Sequence, residues 1–105
     1  MAVLQADENE MNVLSNEDAL VRAQSFLSQQ GEQWAREFRL MPETSFVHEG
    51  VFVIQFDSAK FLETGNSDDR LGGNMPIKVD LSDGSCSFST LKEVYSFRQL
   101  GLIEG

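Results

Sequence analysis

Val51-Phe52-Val53-Ile54-Gln55-Phe56 decides the fold. The run is rich in β-branched and aromatic residues, which fit a pleated surface, and it is too short and too little broken for an amphipathic helix. Alternation sets Phe52, Ile54 and Phe56 on one face of the strand and Val51 and Val53 on the other. A strand that is apolar on both faces belongs inside a sheet, so the neighbouring segments must supply strands on either side.

Upstream, His48-Glu49-Gly50 reads as a turn. Before it, Phe38, Leu40 and Pro42 alternate with Arg39, Met41 and Glu43. Proline donates no hydrogen bond to a ladder, so this strand belongs at an edge. Downstream, Asp57 to Asn74 forms a long connection. It continues through Ala59 to Phe61 and then turns polar at Asn66-Ser67-Asp68-Asp69-Arg70. Connections of this length are uncommon in small domains and often carry function. Gly72, Gly73 and Asn74 tolerate turn geometry, and Met75, preceding Pro76, is driven into extended backbone. Ile77, Val79 and Leu81 then alternate with Lys78 and Asp80, and Asp83-Gly84 signals a hairpin into Cys86 and Phe88.

Helices bracket these strands. Ser15 followed by Asp18 forms a capping box, and Leu20, Ala23, Phe26 and Leu27 recur at helical spacing up to Gly31, predicting a helix over Asn16 to Gln30. Trp34 is then expected near the start of the first strand, as a packing residue or an interface anchor. Thr90 and Glu93 form a second capping box, with Leu91, Val94, Tyr95 and Leu100 as the apolar stripe of a short helix ending before Gly101. Residues 1–14 read as a flexible lead and 15–105 as a single domain. The expected architecture is α+β in two layers: an N-terminal helix packed on a four-stranded antiparallel sheet, with a short C-terminal helix.

Composition narrows the function. The chain has 105 residues, enough for one core. Its 17 acidic residues against 8 lysines and arginines leave a net charge of −9, which opposes direct binding to nucleic acid or to an anionic membrane. That excess favours a partner with a basic surface, and it is equally a common means of staying soluble. A single cysteine excludes an intrachain disulfide and a cysteine-based zinc site. Met1 to Glu10 lacks the basic and apolar regions of a signal peptide, and no apolar run approaches the ~18 residues of a membrane span. These features predict a cytoplasmic protein.

Catalytic and cofactor motifs are missing: there is no phosphate loop, dinucleotide fingerprint or histidine-glutamate metal motif, and Asp80 to Gly84 lacks calcium-loop spacing. Neither a cofactor nor a metal is expected. Asp68 and Asp69 are adjacent, as solvated loop charges usually are, though such a pair can also touch a divalent ion. Cys86 with His48 as base is the one conceivable catalytic pair. Against it, Cys86 alternates in phase with Phe88 as a small buried hydrophobe would.

The order of elements, with the phrases F-D-S-A-K-F-L-E-T-G-N from Phe56, G-G-N-M-P-I-K-V-D from Gly72 and D-G-S-C from Asp83, resembles the YrhB-like family, also called immunity protein 35. The resemblance spans Asn16 to Gly101. It departs at Val51 and Phe52, where that family carries a Trp at the start of the central strand. It implies a small bacterial protein without catalysis of its own that protects the producing cell by binding a cognate toxin. Together with the acidic connection, it places Asp57, Glu63, Asp68, Asp69 and Asn74 at or beside the toxin interface. An acidic inhibitor suits a toxin with a cationic cleft, such as a nuclease or nucleobase deaminase. A protein-modifying toxin remains an alternative. A different class of reading is a chaperone-like or general protein-binding module working through exposed apolar surface on the face of Val51 and Val53.

Overall fold

The computed structural model describes residues 14–34, 36–69 and 75–103. In chain order these form α1 (Asn16–Trp34), β1 (Phe38–His48), β2 (Val51–Ser58), α2 (Ala59–Thr64), a 3-10 turn (Ser67–Asp69), β3 (Ile77–Asp80), β4 (Cys86–Phe88) and α3 (Leu91–Gln99). The four strands make one antiparallel sheet in the order β1-β2-β3-β4, so β2 is internal and β1 lies at an edge.

Both faces of β2 are covered, each by a different helix. Phe52, Ile54 and Phe56 pack with Phe38, Leu40, Ile77 and Val79 beneath Ala19, Ala23 and Leu27 of α1. Val53, on the reverse face, is buried with Val94 and Phe97 of α3 and with Ile103. The expected two layers are therefore three, helix–sheet–helix, because the second apolar face of the central strand has to be removed from water as well.

β1 serves both layers. Its register passes from Met41↔Gln55 to Phe46↔Val53, five steps along β1 against two along β2. The difference is odd, so the strand exchanges faces: Phe38 and Leu40 join the α1 side, while Phe46 meets Phe97 edge to face at 5.2 Å on the α3 side. Thr44 repairs the interrupted ladder. Its hydroxyl donates to the Met41 carbonyl at 2.7 Å and accepts the Gln55 N–H at 3.0 Å. Pro42, which needs no ladder partner for a donor, sits inside this bulge.

A two-residue turn joins β1 to β2, with φ of 53° at Glu49 and 77° at Gly50, the primed geometry that matches strand twist. Glu49 is a side-chain-bearing residue in the left-handed region. Asn tolerates that region better, so Glu49→Asn is expected to raise stability by about 0.5 to 1 kcal/mol in urea unfolding. A loss of stability would contradict this account of the turn.

Several boundaries differ from expectation. α1 runs through Gly31 to Trp34, because Gly31 is a site of close approach and not a stop: a Cβ there would lie 2.7 Å from the Arg36 carbonyl oxygen. Trp34 is thus helical. Its ring packs against Phe38 and Phe88 at 5.5 and 6.2 Å with about half its surface exposed. The connection after β2 holds a helix of its own. Ser58 caps α2 by accepting the Phe61 N–H at 3.0 Å, and Gly65 ends it at φ 73°. Leu14 is docked: its N–H donates to the Leu81 carbonyl at 3.0 Å and its side chain packs on the α1-side core. The rest of the expected lead, residues 1–13, lies outside the described residues. In α3 both capping-box bonds are formed, but the buried face is Val94 and Phe97. Leu91, Tyr95 and Leu100, expected in the stripe, are 66%, 64% and 57% exposed.

Candidate partner-binding surface

The acidic connection is an ordered platform along its described length. Beyond the Ser58 cap and the Gly65 stop, Thr64 Oγ1 accepts the Asn66 N–H at 3.1 Å, and Asn66 Oδ1 accepts the Asp68 N–H at 3.0 Å. Each polar side chain thus fixes the next turn of backbone, and Asp68 is held outward in solvent. Glu63 extends from α2 to β1, where it pairs with the Arg39 guanidinium at 2.7 Å. That hydrogen bond, reinforced by the charges of Glu63 and Glu37, holds the Arg39 pKa above its ordinary value.

The five residues expected at an interface therefore separate. Glu63 and Asp68 share one exposed segment. Asp57 does not join them: it is 6% exposed at the end of β2, with its carboxylate accepting the Ser58 N–H at 2.8 Å. Asp57 is thus buried at the junction of β2 and α2 and is not on the exposed segment. The Asp69 side chain and the whole of Asn74 lie outside what the structure describes.

His48 and Cys86 are on opposite faces of the sheet. His48 stands on the α3 side, its ring 6.1 Å from that of Phe97. Cys86, opposite Val79, packs on the α1 side, with Sγ 3.7 Å from the Arg22 carbonyl oxygen. Burial pushes the thiol pKa up, against a smaller lowering by Arg22. The sheet separates the two side chains, which is incompatible with proton transfer between them. Among the described residues no three of His, Cys, Asp and Glu are grouped to hold a metal ion, and no helix is long and apolar enough to cross a membrane.

A second surface, not anticipated from the sequence, is a groove of about 330 Å³ where the β1–β2 turn meets α3. Val51 and Phe97 give it apolar walls, His48 and Ser96 give it polar edges, and Lys78 and Lys92 are balanced there by Glu49 and Glu93. Glu93 is fully engaged, accepting from Lys78 Nζ at 2.7 Å and from the Thr90 N–H at 2.8 Å. The Lys78 hydrogen bond is the largest cause of a Glu93 pKa below the ordinary carboxylate value, and the capping bond adds to it. Because the folded pKa is depressed, this stabilisation is complete above the unfolded carboxylate pKa and is lost as the pH falls through the folded value. Amide exchange in α3 is accordingly expected to rise before that of the sheet on acidification below about pH 4. Glu93→Gln keeps the capping geometry without the titration, and is expected to remove this pH dependence. An equal acid response in the variant would contradict it.

No family model, curated protein or solved structure matches the chain.

Proposed function

We propose that the chain is a cytoplasmic immunity protein, a stoichiometric inhibitor that binds a cognate bacterial toxin and catalyses nothing itself. The observation that carries the reading is the platform of α2 and the 3-10 turn, on which a run of local hydrogen bonds presents Asp68 to solvent beside the exposed Glu63–Arg39 pair, in a chain of net charge −9. A platform already ordered before binding loses little conformational entropy on association. Its charge would steer a basic partner towards it. The resemblance over Phe56 to Asn66 supports the same segment. A cationic, nucleic-acid-acting toxin, a nuclease or deaminase, is the favoured class.

With the co-purified partner in hand, Asp68→Asn combined with Asp69→Asn is expected to slow association several-fold at low salt, on the order of tenfold at most, and to flatten its salt dependence. Association unchanged at every salt concentration would remove the platform from the interface.

A general protein-binding module is the second reading, favoured by the exposure of Leu91, Tyr95 and Leu100 on or beside α3. Of the apolar face first expected to serve it, Val53 is fully buried beneath α3 and Val51 is half-buried at the groove. Suppressed aggregation of unrelated unfolded proteins at equimolar ratio would support this reading, and no effect on any of them would remove it.

A further inference from the structure

The two edges of the sheet differ. β1 is guarded against pairing with another strand by its bulge, by Pro42 and by the exposed charges of Arg39 and Glu43. β4 and the residues flanking it, Ser85-Cys86-Ser87-Phe88-Ser89, carry no charge, no proline and no bulge. The Ser85 carbonyl accepts the Asp80 N–H at 2.9 Å, and the Ser89 N–H donates to the Pro76 carbonyl at 2.7 Å. The two-residue period of an antiparallel ladder then turns Ser87 towards β3 as well, and leaves the N–H and C=O of Cys86 and Phe88 on the open side. Beside this edge runs a groove of about 440 Å³ between α1 and the β3–β4 hairpin, with Val21, Ser25, Phe26, Gln29 and Cys86 along it. Arg22 is the one charge among the described residues that line it, and its guanidinium covers Gly84 at one end. No charged residue occurs from Ala23 to Gly31 or from Gly84 to Leu91, in a chain that is 24% charged. Phe26 and Phe88 join these two stretches edge to face at 5.1 Å.

We propose that a second copy of the chain docks at this edge, β4 against β4, joining the two sheets into one across a two-fold axis. An axis at Ser87 sets Cys86 of each copy opposite Phe88 of the other, and every open backbone group of one strand then finds its partner in the other. The Cys86 thiol lies across the seam from an aromatic ring on the α1 side. Charge and symmetry together select this occupant. Two chains of net charge −9 repel, so they meet where neither brings a carboxylate to the contact, and neither β4 nor Ala23 to Gly31 holds one. The two Arg22 side chains, each at the Gly84 end of its own strand, fall at opposite ends of the seam. A charged partner of either sign gains nothing from so neutral an edge, whereas its backbone groups are matched by their own copy. A strand of three residues makes the dimer reversible and not obligate. β4 is the edge opposite β1, so both α2 platforms stay open in the dimer, and the proposal does not depend on the inhibitor reading.

The test is sedimentation velocity on the full chain across the micromolar range, at near-physiological ionic strength, where a Debye length of about 8 Å mutes the repulsion between the two net charges. A reversible equilibrium between monomer and dimer is expected. Ser87 is exposed, and Ser87→Lys places two cations opposite each other at the axis. It is expected to weaken the dimer about fivefold or more, although it lowers the net charge that opposes self-association. Glu43→Lys, a cation added on the far edge, is expected not to weaken it. In the unaltered chain, amide exchange at Cys86 and Phe88 is expected to slow as the concentration rises, a readout that needs no variant. A monomer at every concentration, a dimer indifferent to Ser87→Lys, or equal weakening by both variants would overturn the proposal. So would protection of the Cys86 and Phe88 amides that does not change with concentration, which would assign the edge to a segment of the same chain.

Discussion

Ile54→Ala is expected to lower the free energy of unfolding by about 2 to 5 kcal/mol, the range for removing a fully buried aliphatic side chain without collapse of the site. Ile54 has no exposed surface, belongs to the internal strand and lies opposite Ile77 of β3, itself fully buried. Relaxation there is costly, because α1 presses on that face of the sheet and α3 holds the other. A domain of this size has roughly 5 to 15 kcal/mol of stability in all, so the variant is expected to sit near the edge of folding. Ile54→Val, which keeps most of the volume, is expected to cost about 0.5 to 1.5 kcal/mol. Urea unfolding with an unchanged slope measures both. A loss below about 1 kcal/mol in the alanine variant would mean that β2 is not the centre of the core.

Gly31→Ala is expected to destabilise by about 1 to 3 kcal/mol, although in an ordinary helix the same change gains close to 1 kcal/mol. The sign follows from the 2.7 Å separation between a Cβ at Gly31 and the carbonyl oxygen of Arg36. That oxygen is backbone and cannot rotate away. The Arg36 N–H is also tied to the Gly31 carbonyl at 3.0 Å, which fixes the chain reversal between α1 and β1. A methyl group therefore has to separate the helix from the strand that follows it. A gain in melting temperature would show the reversal to be loose.

What was legible in the sequence follows interaction range. The two capping boxes, the Asp83-Gly84 hairpin and the alternation in Val51 to Phe56 are set by neighbours within a few residues, and each is present in the fold. The cover over Val53 was not expected: α3 closes that face through Val94 and Phe97 and not through Leu91 and Tyr95, a difference in helical phase that the sequence pattern permits. The face exchange in β1 depends on the Thr44 hydroxyl replacing a ladder partner across the strand, a long-range fact with no local signature. Ser58 and Gly65 cap α2, which was read as part of a connection because a six-residue helix has too little periodicity to distinguish it from a loop.

The candidate surface was partly legible for the same reason. Charge counts and the polar run singled out Glu63 and Asp68, which are exposed, with Glu63 paired to Arg39. They also singled out Asp57, which is buried, its carboxylate accepting the N–H of the next residue. Lys78, Lys92 and Phe97 come from β3 and α3, which only the fold brings to the β1–β2 turn, so their groove could not be read from spacing.

The inhibitor proposal entails a single tight toxin partner. Its most direct test is a pull-down of the tagged chain from its native host, and with the product of the adjacent gene, read by mass spectrometry and followed by titration of the partner's activity. One dominant partner carrying a toxin domain, silenced at one equivalent of this chain, is the expected result. A spread of unrelated clients, or a bound partner whose activity is untouched at excess, would contradict it.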